Sequence, residues 1–361
     1  MDDGFSTAHL PSFFTTFCHT LKPEHDLPST KIIGTGHAVP DRIVTNKDLE
    51  TLMDTTDEWI TQRTGIKQRH WIVEGETGVQ LSRLAVERAV ESAGITYESI
   101  DAIMYATISP DHFVPGNGCF LQAELTRDKG MRNIPAIDIR TQCSGFVYAL
   151  SMADAYIRAG MYTTIIVVGA EVLSTALDKS SRGRDTAVIF ADGAGAIVVT
   201  ASDDAEGSRI LSWDLHSDGA NAEKLWVDSP GSIYHPRNQA SHLDSRVYPF
   251  MDGRETFRHA TTRMPESVRA VLEQAGKTAA DITLLIPHQA NLRISESVQK
   301  SLGLRDDQVY NNIDRLGNTT AGTIPIALDE CVRAGKLKRG DLLAITAFGS
   351  GFMWGSALIQ W

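Results

Sequence analysis

Cysteine is scarce in this chain of 361 residues: Cys18, Cys119, Cys143 and Cys331 lie far apart and form no CxxC pair. That spacing excludes a cysteine zinc cage and a disulfide scaffold, and it makes a reducing cytoplasm the expected setting. A positive excess is missing as well. Asp and Glu number 45 against 34 Lys and Arg, a net charge of -11, so nothing global favours nucleic acid as a partner. No Lys or Arg precedes Lys22, which fits neither a secretory leader nor an Arg-rich transit peptide. The stretch from Leu342 to Trp361 has no charge, yet Gly349, Gly351 and Gly355 break it and Ser350, Ser356 and Gln360 dilute it. Two buried strands around a Gly-Ser-Gly turn are expected there, and no membrane span. What remains, 42% hydrophobic and 22% charged, is the composition of a globular protein of one large or two medium domains.

The chain repeats itself. Ile139–Gly160 and Asp314–Gly335 match at one constant offset, which pairs Arg140 with Arg315, Cys143 with Asn318, Asp154 with Asp329, and Arg158-Ala159-Gly160 with Arg333-Ala334-Gly335. Each copy reads as strand, turn, helix ending at Gly, then an apolar strand (Ile165–Val168 or Leu342–Ile345). Upstream, Val86–Thr96 matches Val268–Thr278, and each of these helices leads to a strand, Ala102–Tyr105 or Thr283–Ile286. Alternating helices and continuous apolar runs predict an α/β protein of two pseudo-twofold halves with mostly parallel sheets and the active site between them. The halves are expected at 31–205 and 206–361, after an N-terminal arm of residues 1–30. Residues 215–254 read as an irregular excursion over the site or the surface.

Cys143 lies at a strand-to-helix junction in Gln142-Cys-Ser-Gly-Phe. A helix N-terminus aimed at the thiol lowers its pKa and favours the nucleophilic thiolate. A small, buried, inert cysteine is the competing reading. His288, in Ile286-Pro-His-Gln-Ala-Asn, follows a buried strand at the end where open α/β sheets place ligands. A histidine satisfied by local backbone groups competes with it. Asn318 occupies, by the repeat, the place of Cys143, so the two junctions are expected to meet with His288 beside them. Asp192-Gly-Ala-Gly-Ala has the look of a phosphate loop, but its apolar flanks favour close strand packing. His216, His235, His242 and His259 show no metal-ligand spacing.

With Cys143, His288 and Asn318 in view, the sequence resembles the β-ketoacyl-acyl carrier protein synthase III family of thiolase-fold condensing enzymes, from about Lys31 to Trp361. The resemblance is carried by Asp57-Glu-Trp-Ile-Thr-Gln-Arg-Thr-Gly-Ile, Gln142-Cys-Ser-Gly-Phe, Phe190-Ala-Asp-Gly-Ala-Gly-Ala, Pro287-His-Gln-Ala-Asn, Gly317-Asn-Thr and Phe348-Gly-Ser-Gly-Phe. It implies a layered αβαβα thiolase-like duplicated fold, a homodimer and no tightly bound cofactor. It also implies an acyltransferase that loads an acyl group from acyl-CoA onto Cys143 and condenses it with malonyl-acyl carrier protein to start a fatty acid. His288 and Asn318 would hold the malonyl thioester carbonyl, and the backbone N–H groups of Cys143 and Ser350 the tetrahedral oxygen. Trp59, Arg63, Thr64 and Arg182 match the places that clamp coenzyme A, an aromatic plane for adenine and guanidinium groups for phosphates. Arg258, Arg293 and Lys300 match the docking region for carrier protein.

Two departures stand out. Ser350 replaces the middle glycine of the family's Gly-Gly-Gly turn, a change that its backbone role tolerates. Val114 stands where acetyl-specific members place a phenylalanine at the end of the acyl pocket, so a primer longer than acetyl is expected. The Gln142 and Ser350 stretches are similar to those of secondary-metabolism members, which leaves a specialised acyltransferase as the alternative. A non-catalytic binder of acyl-CoA or carrier protein is the reading from another class.

Overall fold

The computed structural model describes residues 27–204, 207–232 and 247–361. Most of the N-terminal arm and the middle of the 215–254 excursion, with Cys18, His235 and His242, lie outside the described residues. In chain order the first strands are β1 (Ser29–Ala38), β2 (Ile43–Thr45), β3 (Gln68–His70), β4 (Ala102–Ala106), β5 (Ala136–Ile139), β6 (Thr164–Glu171) and β7 (Gly193–Ser202). They are followed by β8 (Arg209–Ser217), β9 (Leu225–Trp226), β10 (Phe250–Met251), β11 (Leu284–Pro287), β12 (Leu342–Gly349) and β13 (Met353–Gln360). One sheet has the order β1-β7-β6-β4-β5 and the other β11-β12-β13-β8, while β2 with β3 and β9 with β10 form small ribbons.

Both main sheets are mixed, which corrects the mostly parallel expectation. β6, β4 and β5 run parallel, but β7 is antiparallel to β6 and to β1. β11 is parallel to β12, and β13 is antiparallel to β12 and β8. The central strands β6 and β12 are buried along their whole length. A strand buried on both faces reads as a continuous apolar run whichever way its neighbours point, so composition carried no direction. The uncharged C-terminal stretch is the β12–β13 pair around Ser350, as expected.

The helices, in chain order, are α1 (Asn46–Glu50), α2 (Asp57–Thr64), α3 (Gly78–Ala93), α4 (Asn117–Lys129), α5 (Gly145–Arg158), α6 (Arg184–Ala187), α7 (Gly253–Gln274), α8 (Leu292–Leu302), α9 (Ile313–Leu316) and α10 (Thr323–Arg333). Leu81 and Val86 of α3 and Leu121 of α4 pack on one face of the first sheet. Val268 of α7 and Val298 of α8 cover the outer face of the second. Between the sheets, Phe146 and Leu150 of α5 and Ile324 and Leu328 of α10 share one core with strands from both. The result is the layered αβαβα architecture. Gly195 of β7 belongs to this packing and not to a phosphate loop, because a Cβ there would stand 2.6 Å from the backbone nitrogen of Ile326.

The repeat is real, but its register slips. α5 has 14 residues and α10 has 11. Each is preceded by a 3₁₀ turn, Gln142–Ser144 or Thr320–Gly322, whose first residue takes a left-handed φ of 49° or 42°. Turn against turn, Cys143 therefore corresponds to Ala321, and Asn318 lies just upstream. The sequence match held at the helix ends, while the shorter second helix shifted the junction.

Candidate active site

The 3₁₀ turn that carries Cys143 runs straight into α5, and β12 passes close above it. The backbone N–H groups of Cys143 and Ser350 both reach the sulfur, which favours the thiolate. Burial outweighs them: it pushes the thiol up to about 12, with the Glu171 carboxylate adding to the rise. The expected lowering by the helix end is thus corrected. In this enclosed site desolvation outweighs the two backbone donors.

His288 follows β11, its N–H continuing the parallel ladder to the Thr346 carbonyl at 2.8 Å. Its Nδ1 lies 2.7 Å from Thr323 Oγ1, while Nε2 is buried without a hydrogen-bond partner among the described residues. Burial lowers its pKa to about 3, so the imidazole is neutral at physiological pH. Asn318 is held by the first half: its N–H donates to the Ile189 carbonyl at 3.0 Å, and its own carbonyl accepts from Ala191 N–H at 2.9 Å. Its Oδ1 accepts the Thr320 N–H at 2.8 Å, which leaves the amide Nδ2 to donate elsewhere. Cys143, His288 and Asn318 line one cavity of about 140 Å³, walled by apolar groups that include Phe257, Met264 and Phe348. The arrangement offers one thiol, two backbone donors directed at it, and two neutral side chains able to donate to a carbonyl oxygen.

Glu171, at the end of β6, was not singled out from the sequence. It is 1% exposed and accepts from Ser109 Oγ at 2.6 Å and from the Ile108 and Ser109 N–H groups at 3.2 Å. Burial raises its pKa from 4.5 to about 7 despite these bonds. Nothing in the spacing marked it, since a lone Glu ending a strand has no local signature. An acid whose folded pKa is raised binds its proton more tightly when folded. It therefore carries no penalty below about pH 4.5 and weakens the fold as pH rises toward 7. Thermal melts of Glu171→Gln beside the parent should show the difference moving in favour of the variant over that interval, by on the order of 3 kcal/mol. A difference independent of pH would refute the shift.

The residues expected to hold coenzyme A and to end the acyl pocket are only partly brought together in the single chain. Trp59, whose N–H is capped by Thr56 Oγ1 at 3.1 Å, is flanked by two guanidinium groups, Arg63 at 4.8 Å and Arg184 at 4.6 Å from the ring centre. Arg184, not Arg182, thus joins Arg63 and Trp59. The 3₁₀ turn Ser181–Gly183 directs Arg182 to Asp178 at 2.7 Å, in a separate groove with Trp226 and Phe250. Two arginines within Ser181-Arg-Gly-Arg made the register ambiguous. Thr64 is buried, with its hydroxyl donating to the Ile60 carbonyl at 2.7 Å and accepting from Ile66 N–H at 3.0 Å, so it is a structural element of α2. Val114 is 77% exposed, beside an equally exposed Phe113, and lies outside the Cys143 cavity of the single chain.

Arg258, Arg293 and Lys300 are all exposed on the adjacent helices α7 and α8. The Arg293 guanidinium lies 5.5 Å from the centre of the Phe257 ring at the cavity wall. Arg258 is engaged with Glu255 at 2.6 Å. The Ser350 hydroxyl bonds the Leu225 carbonyl of β9, so the residue that departs from the family's glycine ties the excursion down over the site.

Known proteins are similar to this chain in sequence and fold. Residues 137–219 match the family profile of 3-oxoacyl-[acyl-carrier-protein] synthase III, and residues 272–361 match the profile of its C-terminal part. The β-ketoacyl-[acyl-carrier-protein] synthase III of Sinorhizobium medicae is 44% identical over 332 residues, spanning 91% of this chain and 98% of the relative. The 3-oxoacyl-[acyl-carrier-protein] synthase III structure from Aquifex aeolicus superposes with a TM-score of 0.83 at 41% identity, covering 92% of this chain and all of the other. The priming β-ketosynthase of the R1128 polyketide pathway superposes at 0.82 with 31% identity, covering 92% of this chain and 96% of the other. Such identity across nearly the whole length of both chains, on a fold with this duplicated core, establishes that the chain belongs to the β-ketoacyl-acyl carrier protein synthase III family.

Proposed function

We propose that this chain joins an acyl group from acyl-CoA to malonyl-acyl carrier protein by decarboxylative condensation, the step that begins a fatty acid. The observation that carries the reading is the apolar cavity where the Cys143 thiol meets the His288 Nε2, which has no partner among the described residues, and the tethered amide of Asn318. In loading, the Cys143 sulfur bonds the acyl carbon, the carbon–sulfur bond to coenzyme A breaks, and the thiol proton leaves with coenzyme A. In condensation, the malonyl thioester loses CO2 and the electron pair passes into an enolate. Its oxygen is held by His288 Nε2–H and Asn318 Nδ2–H. The enolate carbon then attacks the acyl carbonyl, and the oxyanion so formed sits against the N–H groups of Cys143 and Ser350. Collapse expels the Cys143 thiolate, which takes a proton from water.

Trp59 with Arg63 and Arg184 would clamp the coenzyme A nucleotide, and Arg258, Arg293 and Lys300 would receive the acidic carrier protein. No prosthetic group is required by this chemistry. A homodimer is part of the proposal, since a second copy covering the exposed Phe113 and Val114 would bury an apolar pair left open on one chain. Whether Val114 then limits acyl length depends on that second copy. The alternative, a specialised role with a longer or different acyl group, has behind it only the similarity to the R1128 polyketide priming enzyme, which is less than the similarity to the synthase III relatives. Intact-mass analysis of the carrier protein after incubation with acetyl-, octanoyl- or dodecanoyl-CoA and malonyl-carrier protein tests both. A β-ketoacyl carrier protein is expected, and the preferred chain separates the two roles. No product with any donor would overturn the proposal.

A further inference from the structure

We infer that Thr323 is the positioning residue that fixes the proton of the neutral His288 imidazole on Nε2, by donating its hydroxyl hydrogen to Nδ1. The inference rests on the reading of His288 given above, as a donor to the malonyl thioester carbonyl. A neutral imidazole carries one N–H, and the bond made by one nitrogen decides which of the two holds it. Thr323 Oγ1 lies 2.7 Å from His288 Nδ1 and 2.9 Å from the Thr320 carbonyl. It has one hydrogen and two acceptors within reach.

The Thr320 carbonyl does not depend on that hydrogen. It also accepts the backbone N–H of Thr323, which closes the 3₁₀ turn Thr320–Gly322. Turning the hydroxyl toward Nδ1 therefore leaves no buried carbonyl unpaired. The opposite choice spends the hydroxyl on a carbonyl already satisfied and makes Nδ1 the proton carrier. Nε2 would then present a lone pair to the cavity, where a thioester carbonyl must also present one, and the two would repel. Thr323 and His288 are 3% and 2% exposed, so water cannot substitute freely for the hydroxyl. Nε2 is the buried ring atom with no partner among the described residues, as a donor awaiting substrate would be. The same turn orients Asn318, because the Thr320 N–H holds Asn318 Oδ1. One short turn with a left-handed first residue thus sets both donors: its amide aims Asn318, and the hydroxyl after it selects the His288 tautomer.

The test compares the parent with Thr323→Val and Thr323→Ser, using ¹⁵N-histidine spectra, CO2 release from malonyl-carrier protein, and acyl loading of Cys143 from acyl-CoA. The parent and Thr323→Ser should show Nε2–H at His288. Thr323→Val should shift the resonance toward Nδ1–H and release CO2 about 10²-fold more slowly, the scale of one lost oxyanion donor, with loading near the parent rate. An Nδ1–H signature in the parent, or unchanged tautomer and CO2 release in Thr323→Val, would overturn the inference. If Thr323→Val does not fold, the parent spectrum and Thr323→Ser decide it. A parent that shows Nε2–H yet releases no CO2 would instead overturn the reading of His288, so the two failures are distinguishable.

Discussion

Cys143→Ala and Asn318→Ala are expected to break different halves of one reaction. The alanine at 143 should gain no acyl mass from any acyl-CoA and reduce condensation to background, because no other thiol among the described residues lies in the cavity. Asn318→Ala should still form the acyl adduct, while CO2 release falls by about 10²–10³-fold. The separation follows from the geometry. Asn318 Oδ1 is occupied by the Thr320 N–H at 2.8 Å, so the amide has one orientation and only Nδ2 to offer a substrate oxygen. Nothing in that contact touches the sulfur, whose two donors are the N–H groups of Cys143 and Ser350. Mass spectrometry of the enzyme reads the first half, and CO2 capture reads the second. Loss of the adduct in Asn318→Ala, in a variant that melts like the parent, would show that the two functions are not separable and defeat the assignment. Because residues acting as a unit lose activity non-additively, the double variant should be no worse in condensation than Cys143→Ala alone.

Much of this was legible in the chain itself, and the losses have specific causes. The duplication could be read because each half ends a helix with Arg-Ala-Gly before a buried strand, and residues such as Asp154 and Asp329 hold real contacts in α5 and α10. Asp154 accepts from Trp213 Nε1 at 2.9 Å, and Asp329 accepts from Thr35 Oγ1 at 2.7 Å. The pairing of Cys143 with Asn318 failed because it was counted from those helix ends, and α10 is shorter at its start. Arg182 is placed by likeness alone, and spacing does not show that the Ser181–Gly183 turn directs it to Asp178 while Arg184 reaches Trp59. The direction of the Cys143 shift was missed because a helix end is visible in sequence and enclosure is not. Glu171 and Thr323 were missed for a related reason: each matters through what tertiary packing brings against it. Val114 was placed by likeness alone, and a single chain leaves it exposed.

The two pseudo-symmetric turns also predict which glycines the fold cannot spare. Gly349, at the end of β12, passes so close over Cys143 that a Cβ would stand 2.6 Å from Cys143 Cβ and 3.1 Å from its sulfur. Gly169, at the equivalent place in β6, passes over Ala321, and a Cβ there would overlap the Ala321 carbonyl. Neither has a left-handed φ, so the requirement is one of space and not of backbone freedom. The expected outcomes differ because the neighbours differ. At Gly349→Ala the clash falls on a side chain and turn that form the cavity wall, so Cys143 must move. A displacement near 1 Å is enough to slow loading about 10²-fold. At Gly169→Ala the clash is with a buried backbone carbonyl that cannot swing away, so the cost should appear as stability, about 1–3 kcal/mol or more for an overpacked core. Thermal melts and acyl-loading rates of both variants, beside the parent, check the pair. A Gly349→Ala protein that loads normally would mean that β12 does not hold the thiol in place. A Gly169→Ala protein as stable as the parent would mean that the contact between the two turns is looser than a shared core allows. If both hold, the two related turns have diverged in role: one positions a thiol for chemistry, and the other, with Ala321 where the thiol would be, supports it from beneath.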